Sequence, residues 1–192
     1  MMKFKKITKN RSQKKQYKTY AFIDSQNLNL GIQKAGWKMD WRKFRQYLKE
    51  EYGVSNAYMF IGYMQEHEDL YEYMHELGYL VVLKPTLDMN LQKDEKNQKD
   101  KPPTKGNIDA DLVLYAMKEL PNYDKAILVS GDGDFYGLIE YLKDNQKLLK
   151  VLAPNRQYSS LLKSFENYIE RLDVKKKKLQ YFDRKKPLKN KA

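Results

Sequence analysis

Asp132-Gly133-Asp134 follows the apolar run Ile127-Leu128-Val129 after only Ser130 and Gly131, and sets two like charges one glycine apart. Crowded carboxylates disfavour their own ionised forms unless a cation, a turn or a helix end relieves them. Two more acids fall at comparable places. Asp24 closes the β-prone run YAFID (20–24), and Asp109 opens the helical stretch IDADLVLYAMKEL (108–120). Each has an ordinary use, since Asp24 and Asp132 both suit a helix or turn cap. Together, four carboxylates from three distant segments aimed at one rim would repel strongly without cations. An all-aspartate set suits hard divalent ions held through oxygen, Mg²⁺ or Mn²⁺. Zinc is poorly matched, because the chain has no Cys and only His67 and His75, eight residues apart on one helix and read as solvated. Carboxylate clusters that hold two metals hydrolyse phosphodiesters, and that is the chemistry these residues suggest.

Helical spacing separates Asp109 from its neighbour Asp111. The apolar stripe Leu112, Val113, Ala116, Met117 and Leu120 continues backwards through position 109, whereas 111 falls nearer Tyr115 and Lys118. Asp109 is therefore expected at the rim and Asp111 at the helix N-terminus, which favours acids. Asn27, close behind Asp24, is expected to hydrogen-bond a metal-bound carboxylate or a substrate phosphate. Lys105 and Ser130 are assigned to the substrate, Lys105 through its ammonium. Trp37 and Trp41 are candidates for stacking on unpaired bases. Other chemistries fit less well. There is no GxxxxGK[ST] phosphate loop and no Ser-His-Asp arrangement. DGDFYGLIE lacks the third acid and the sixth-position glycine of a calcium loop.

The elements that must position these residues alternate. Strands are expected at 20–24, 56–64, 79–85, 125–131 and 147–154. Helices are expected at 40–52, capped by Asp40 and stopped by Gly53, at 66–77 before Gly78, at 108–120 and at 135–145. A short helix near 159–164 and a final segment, 168–173, complete the pattern. Strand–helix alternation predicts a three-layer α/β/α sandwich around a central, mainly parallel sheet. Ligands then bind beyond the carboxyl ends of the strands, where Asp24, Asp109, Asp132 and Asp134 all fall. Residues 86–107, charged and carrying a Pro-Pro pair, are expected to be a long mobile loop facing the substrate.

The net charge of +12 is unevenly spread. Residues 1–19 carry eight Lys or Arg and no acid, and residues 174–192 carry nine against Asp183 alone. The two ends thus hold +16 of a total of +12, leaving the body at −4. Basic tails at 1–18 and 174–192, the latter expected to be disordered, flank an acidic domain at 19–173. Such tails suit a polyanion through counter-ion release. No apolar run approaches the ~18 residues of a membrane helix. The N-terminus has no apolar core of a secretory signal, so the cytoplasm is the expected compartment.

FIDSQNL (22–28), KGNIDADL (105–112) and SGDGDFYGLI (130–139) resemble the signature segments of NYN domains, in the LabA-like branch of the PIN-like nuclease superfamily. The resemblance spans about residues 19–173, with the three segments in the family's order. It implies a PIN-like sandwich and a metal-dependent ribonuclease site at Asp24, Asp109, Asp132 and Asp134, with Asn27 beside it. Where many relatives place a further acid six residues past Asp109, this chain has Tyr115. The leading expectation is a Mg²⁺- or Mn²⁺-dependent endoribonuclease acting on single-stranded or structured RNA. The alternative is an RNA-binding or regulatory module with little turnover, for example a homodimer.

Overall fold

Strands buried on both faces need helices over both faces, the arrangement of a parallel sheet closed by crossover connections. The computed structural model describes residues 17–62, 67–84 and 108–182. Within them, β1 (Thr19–Asp24), β2 (Val54–Gly62), β3 (Leu80–Lys84), β4 (Lys125–Val129), β5 (Leu148–Ala153) and β6 (Ile169–Arg171) form one sheet ordered β3-β2-β1-β4-β5-β6. Every pairing is parallel. The helices are α1 (Ser25–Lys34), α2 (Trp41–Tyr52), α3 (Glu68–Glu76), α4 (Ile108–Lys118), α5 (Tyr136–Asp144) and a short α6 (Lys176–Leu179).

Alternate residues divide the sheet between two cores. Ala21, Ile23, Ala57, Met59, Ile127 and Val129 face Leu28 and Ile32 of α1, Phe44 and Leu48 of α2, and Met74 of α3. Tyr20, Phe22, Phe60, Ala126 and Leu128 face Leu112 and Ala116 of α4, Leu138 and Ile139 of α5, and Leu162 and Phe165 of the 3-10 segment Ser160–Tyr168. The expected three-layer sandwich is thus formed, with a sheet that is wholly parallel. Each fully buried Leu, Ile or Phe stabilises it by about 1.5–3 kcal/mol.

Local signals act where the sequence placed them. Asp40 caps α2, accepting from the Lys43 amide at 3.1 Å. Gly53 ends that helix in the left-handed region (φ 67°), where a side chain would strain the backbone.

Two segments differ from expectation. Residues 169–171, read only as part of a final segment, form the edge strand β6 against β5. Residues 174–182, expected to be disordered, dock onto α2. Leu179 is completely buried. The Asp40 amide donates to the Leu179 carbonyl at 2.9 Å, and the Tyr181 amide to that of Lys38 at 2.8 Å. Average composition hid this, because one apolar anchor and a short backbone bridge are enough to fix a basic segment. The N-terminal tail through residue 16, the 86–107 loop with Lys105, and residues 183–192 lie outside the described residues.

Candidate functional site

β1 and β4 are neighbours at the point where strand order reverses, and both run their carboxyl ends toward the same rim. That adjacency makes the site. β1 pairs with β4 in parallel as far as Ile23 opposite Val129, so the next residues, Asp24 and Ser130, emerge side by side. The Ser130 hydroxyl donates to Asp24 Oδ2 at 3.0 Å and accepts from the Asp132 amide at 3.1 Å. Asp24 is also the N-cap of α1, its Oδ1 accepting from the Asn27 amide at 3.0 Å. Asn27 in turn accepts at Oδ1 from the Gly131 amide at 2.9 Å. A chain of hydrogen bonds thus ties the end of β1, the first turn of α1 and the loop after β4 into one unit.

The sequence assigned Ser130 to the substrate. Its hydroxyl is instead fully buried and spent on Asp24 and Asp132, so it positions the rim from beneath. Asp132 caps the 3-10 turn Gly133–Phe135, accepting from the Asp134 amide at 3.0 Å. Asp134 itself is exposed. Gly133 serves space rather than backbone freedom, because a Cβ there would collide with the Ser159 hydroxyl and touch Leu161. Asp111, expected at the helix N-terminus, pairs with Lys84 at the carboxyl end of β3, 3.1 Å away, a partner the sequence did not identify.

The carboxylates feel one another. Burial pushes the Asp24 carboxyl above its ordinary value, and the charges of Asp109 and Asp132 raise it further against the hydrogen bonds from Asn27 and Ser130. Burial likewise raises Asp109, reinforced by Asp132 and Asp134. The four acids therefore share one electrostatic neighbourhood. An all-oxygen set of this kind fits a hard divalent cation in donor chemistry. Even so, no group of three or more His, Cys, Asp or Glu among the described residues stands close enough to hold one ion.

A stability prediction follows from the signs. An acid with a raised folded pKa leaves the folded state holding extra protons between its ordinary and raised values. Its charged form then costs stability at neutral pH, and the cost fades as pH falls through the raised value. In EDTA at pH 7, Asp109→Asn is expected to raise Tm, by at most about 2–4 °C because the side chain is only part-buried and water screens the repulsion. The gain over wild type should shrink as the pH is lowered toward the usual carboxylate range. A variant that melts below wild type at pH 7 contradicts this reading.

Beside the rim, Asn27, Leu30, Gly31 and Lys34 of α1 line a cleft of about 140 Å³ with Gly131, Pro154, Asn155, Gln157 and Tyr158. Its floor was not legible in the sequence. Asn155 holds it, donating to the Gly31 carbonyl at 2.7 Å and accepting from the Gln157 amide at 2.7 Å. The only prior signal was the apolar-to-polar change after β5.

The NYN domain family model matches residues 18–173. The Low amplitude and bright protein LabA of Synechococcus elongatus is 29% identical over 159 residues, covering 80% of this chain and 83% of that protein. Among solved structures, a protein of unknown function from Vibrio parahaemolyticus is similar at a TM-score of 0.58 and 23% identity. It covers 83% of this chain and 93% of that one, a likeness that bears on the fold alone. No helix among the described residues is long and apolar enough to cross a membrane.

Proposed function

Since the chain belongs to the NYN domain family, within the PIN-like nuclease superfamily, we propose that it is a Mg²⁺- or Mn²⁺-dependent endoribonuclease. The observation that supports the proposal is the Ser130 hydroxyl, which donates to the Asp24 carboxylate and accepts from the Asp132 amide, tying the end of β1 to the acid-bearing loop after β4 at the switch point of the sheet. Acids kept together at a cost to their own ionisation are a mark of functional sites.

Asp24 and Asp132 would hold the cation, with Asp109 and Asp134 closing on it from the first turn of α4 and from the 3-10 turn. A bound divalent ion would supply Lewis-acid stabilisation of phosphoryl oxygens and lower the pKa of water. The chain's own residues do the positioning. Ser130 fixes the orientation of the Asp24 carboxylate. The Gly131 amide occupies Asn27 Oδ1, so the donor end of that side chain is the one available to a scissile phosphate. Basic residues near both ends of the chain would concentrate RNA around an acidic body.

The test is cleavage of end-labelled RNA by the purified protein in Mn²⁺, Mg²⁺ or EDTA, with Asp132→Asn in parallel. Internal cleavage in metal, abolished by EDTA and by the substitution, is the expected result. RNA binding by both proteins with no cleavage in either metal would replace the nuclease by the RNA-binding module.

A further inference from the structure

One face of α1 leads away from the acids. Asn27, Leu30, Gly31 and Lys34 recur at helical spacing and together line the cleft beside the rim. Beyond them a second cleft, of about 350 Å³, shares Lys34, Asn155 and Gln157 with the first. The remainder of its wall is Ala35, Trp37, Arg156, Asp173 and Lys176.

The charge of this second cleft is unlike that of the rim. Lys34, Arg156 and Lys176 all reach it, and none has an ion-pair partner among the described residues. The one acid, Asp173, is already taken by the Arg171 guanidinium in a two-pronged contact at 2.7 and 3.0 Å. Three cations thus line one trough whose single carboxylate is already paired, which leaves it basic and suited to a polyanion. Trp37, a candidate from the sequence for stacking on bases, is buried in the core at 8% exposure and only closes the back of the cleft.

Lys176 comes from the segment that docks onto α2. It lies three residues past the end of the family match at 173. Its place is set by buried Leu179 and by the Asp40–Leu179 and Lys38–Tyr181 backbone bonds. This cation therefore belongs to what the chain adds beyond the domain.

We propose that the Lys34–Arg156–Lys176 cleft is a binding subsite for the sugar-phosphate backbone of single-stranded RNA, two or three nucleotides from the bond at the acidic rim. The proposal rests on the nuclease reading for that second landmark. Its distance follows from α1: seven residues from Asn27 to Lys34 span ~10 Å at about 1.5 Å per residue, roughly three stacked nucleotides at about 3.4 Å each. The open trough suits a flexible strand lying along it. The strand would be held through its backbone, with half-buried Tyr158 of the adjoining cleft as a surface for a base, which makes the subsite indifferent to sequence.

The experiment is equilibrium binding of a fluorescein-labelled single-stranded oligoribonucleotide to the full-length protein in EDTA, across a salt series. Lys34→Ala, Arg156→Ala and Lys176→Ala are measured singly and combined, with Lys163→Ala as an exposed control from the opposite helical layer. Each cleft substitution should weaken binding about three- to tenfold at low salt and reduce the log–log salt slope by about 0.7, and the triple by about 2. Lys163→Ala should behave as wild type. A triple variant with wild-type affinity and slope overturns the proposal, as does equal loss from Lys163→Ala, or competition by poly-glutamate as effective as by unlabelled RNA. Because no metal is present, binding is read independently of turnover. Loss of affinity in the triple variant of a protein that never cleaves RNA would leave this subsite standing and remove the nuclease alone.

Discussion

Asp24→Asn is expected to lower metal-dependent RNA cleavage about a thousandfold while leaving the protein folded. Asp24 is the most enclosed of the four acids, 5% exposed, and the one tied to both α1 and the β4 loop. If the proposed nuclease reading holds, removing its charge would leave the cation short of a ligand. A loss of roughly 4 kcal/mol of transition-state stabilisation corresponds to three factors of ten at about 1.36 kcal/mol each. Asparagine keeps an oxygen to accept from the Asn27 amide, so the N-cap of α1 survives. Single-turnover cleavage in Mn²⁺ gives the effect, and a thermal melt of the same sample shows that the fold is intact. Asp111→Asn is the matched control. Its carboxylate is engaged with Lys84, and the substitution should change the rate less than about threefold. Activity within tenfold of wild type for Asp24→Asn, or equal damage from Asp111→Asn, would remove Asp24 from the chemistry.

Leu179→Ala should destabilise the protein by about 2–4 kcal/mol, an effect expected of a core position and not of a tail. The side chain is fully buried and belongs to the core cluster that includes Met39, Phe44 and Tyr47. For a chain of this size that loss is a fall in Tm of roughly 5–15 °C. Val174→Ala, five residues earlier and 64% exposed, should stay within about 0.5 kcal/mol of wild type. Chemical denaturation of the two variants measures both. Equal stability would mean that residues 174–182 contribute nothing to the fold. If Leu179 anchors the segment that carries Lys176, the same variant should also bind single-stranded RNA more weakly in EDTA.

Much of the frame was readable before any coordinates. Strand–helix alternation gave the layers, and Asp40 and Gly53 marked the ends of α2. These succeed because caps, glycine turns and periodicity are local, and a helix or strand needs only its own residues to announce them. Ser130 was assigned outward and lies inward. Its hydroxyl is claimed by Asp24, 106 residues away in sequence, and by the Asp132 amide once that loop has turned. Gly133 is needed because a Cβ there would collide with the Ser159 hydroxyl, a neighbour 26 residues away. In both cases the deciding partner is distant in sequence, so no local pattern carries it.

By itself, the sequence determined that this chain builds a two-sided parallel sheet and delivers aspartates to the carboxyl ends of its strands. Burial periodicity and the chemistry of aspartate are properties of short segments. Only the tertiary structure decided that β1 and β4 lie side by side, that Asn155 closes a cleft under Gly31, and that a lysine-rich end folds back to place Lys176 beside Lys34 and Arg156. Strand order and docking are set by the sum of many weak contacts between remote residues, and that sum exists only in the folded chain.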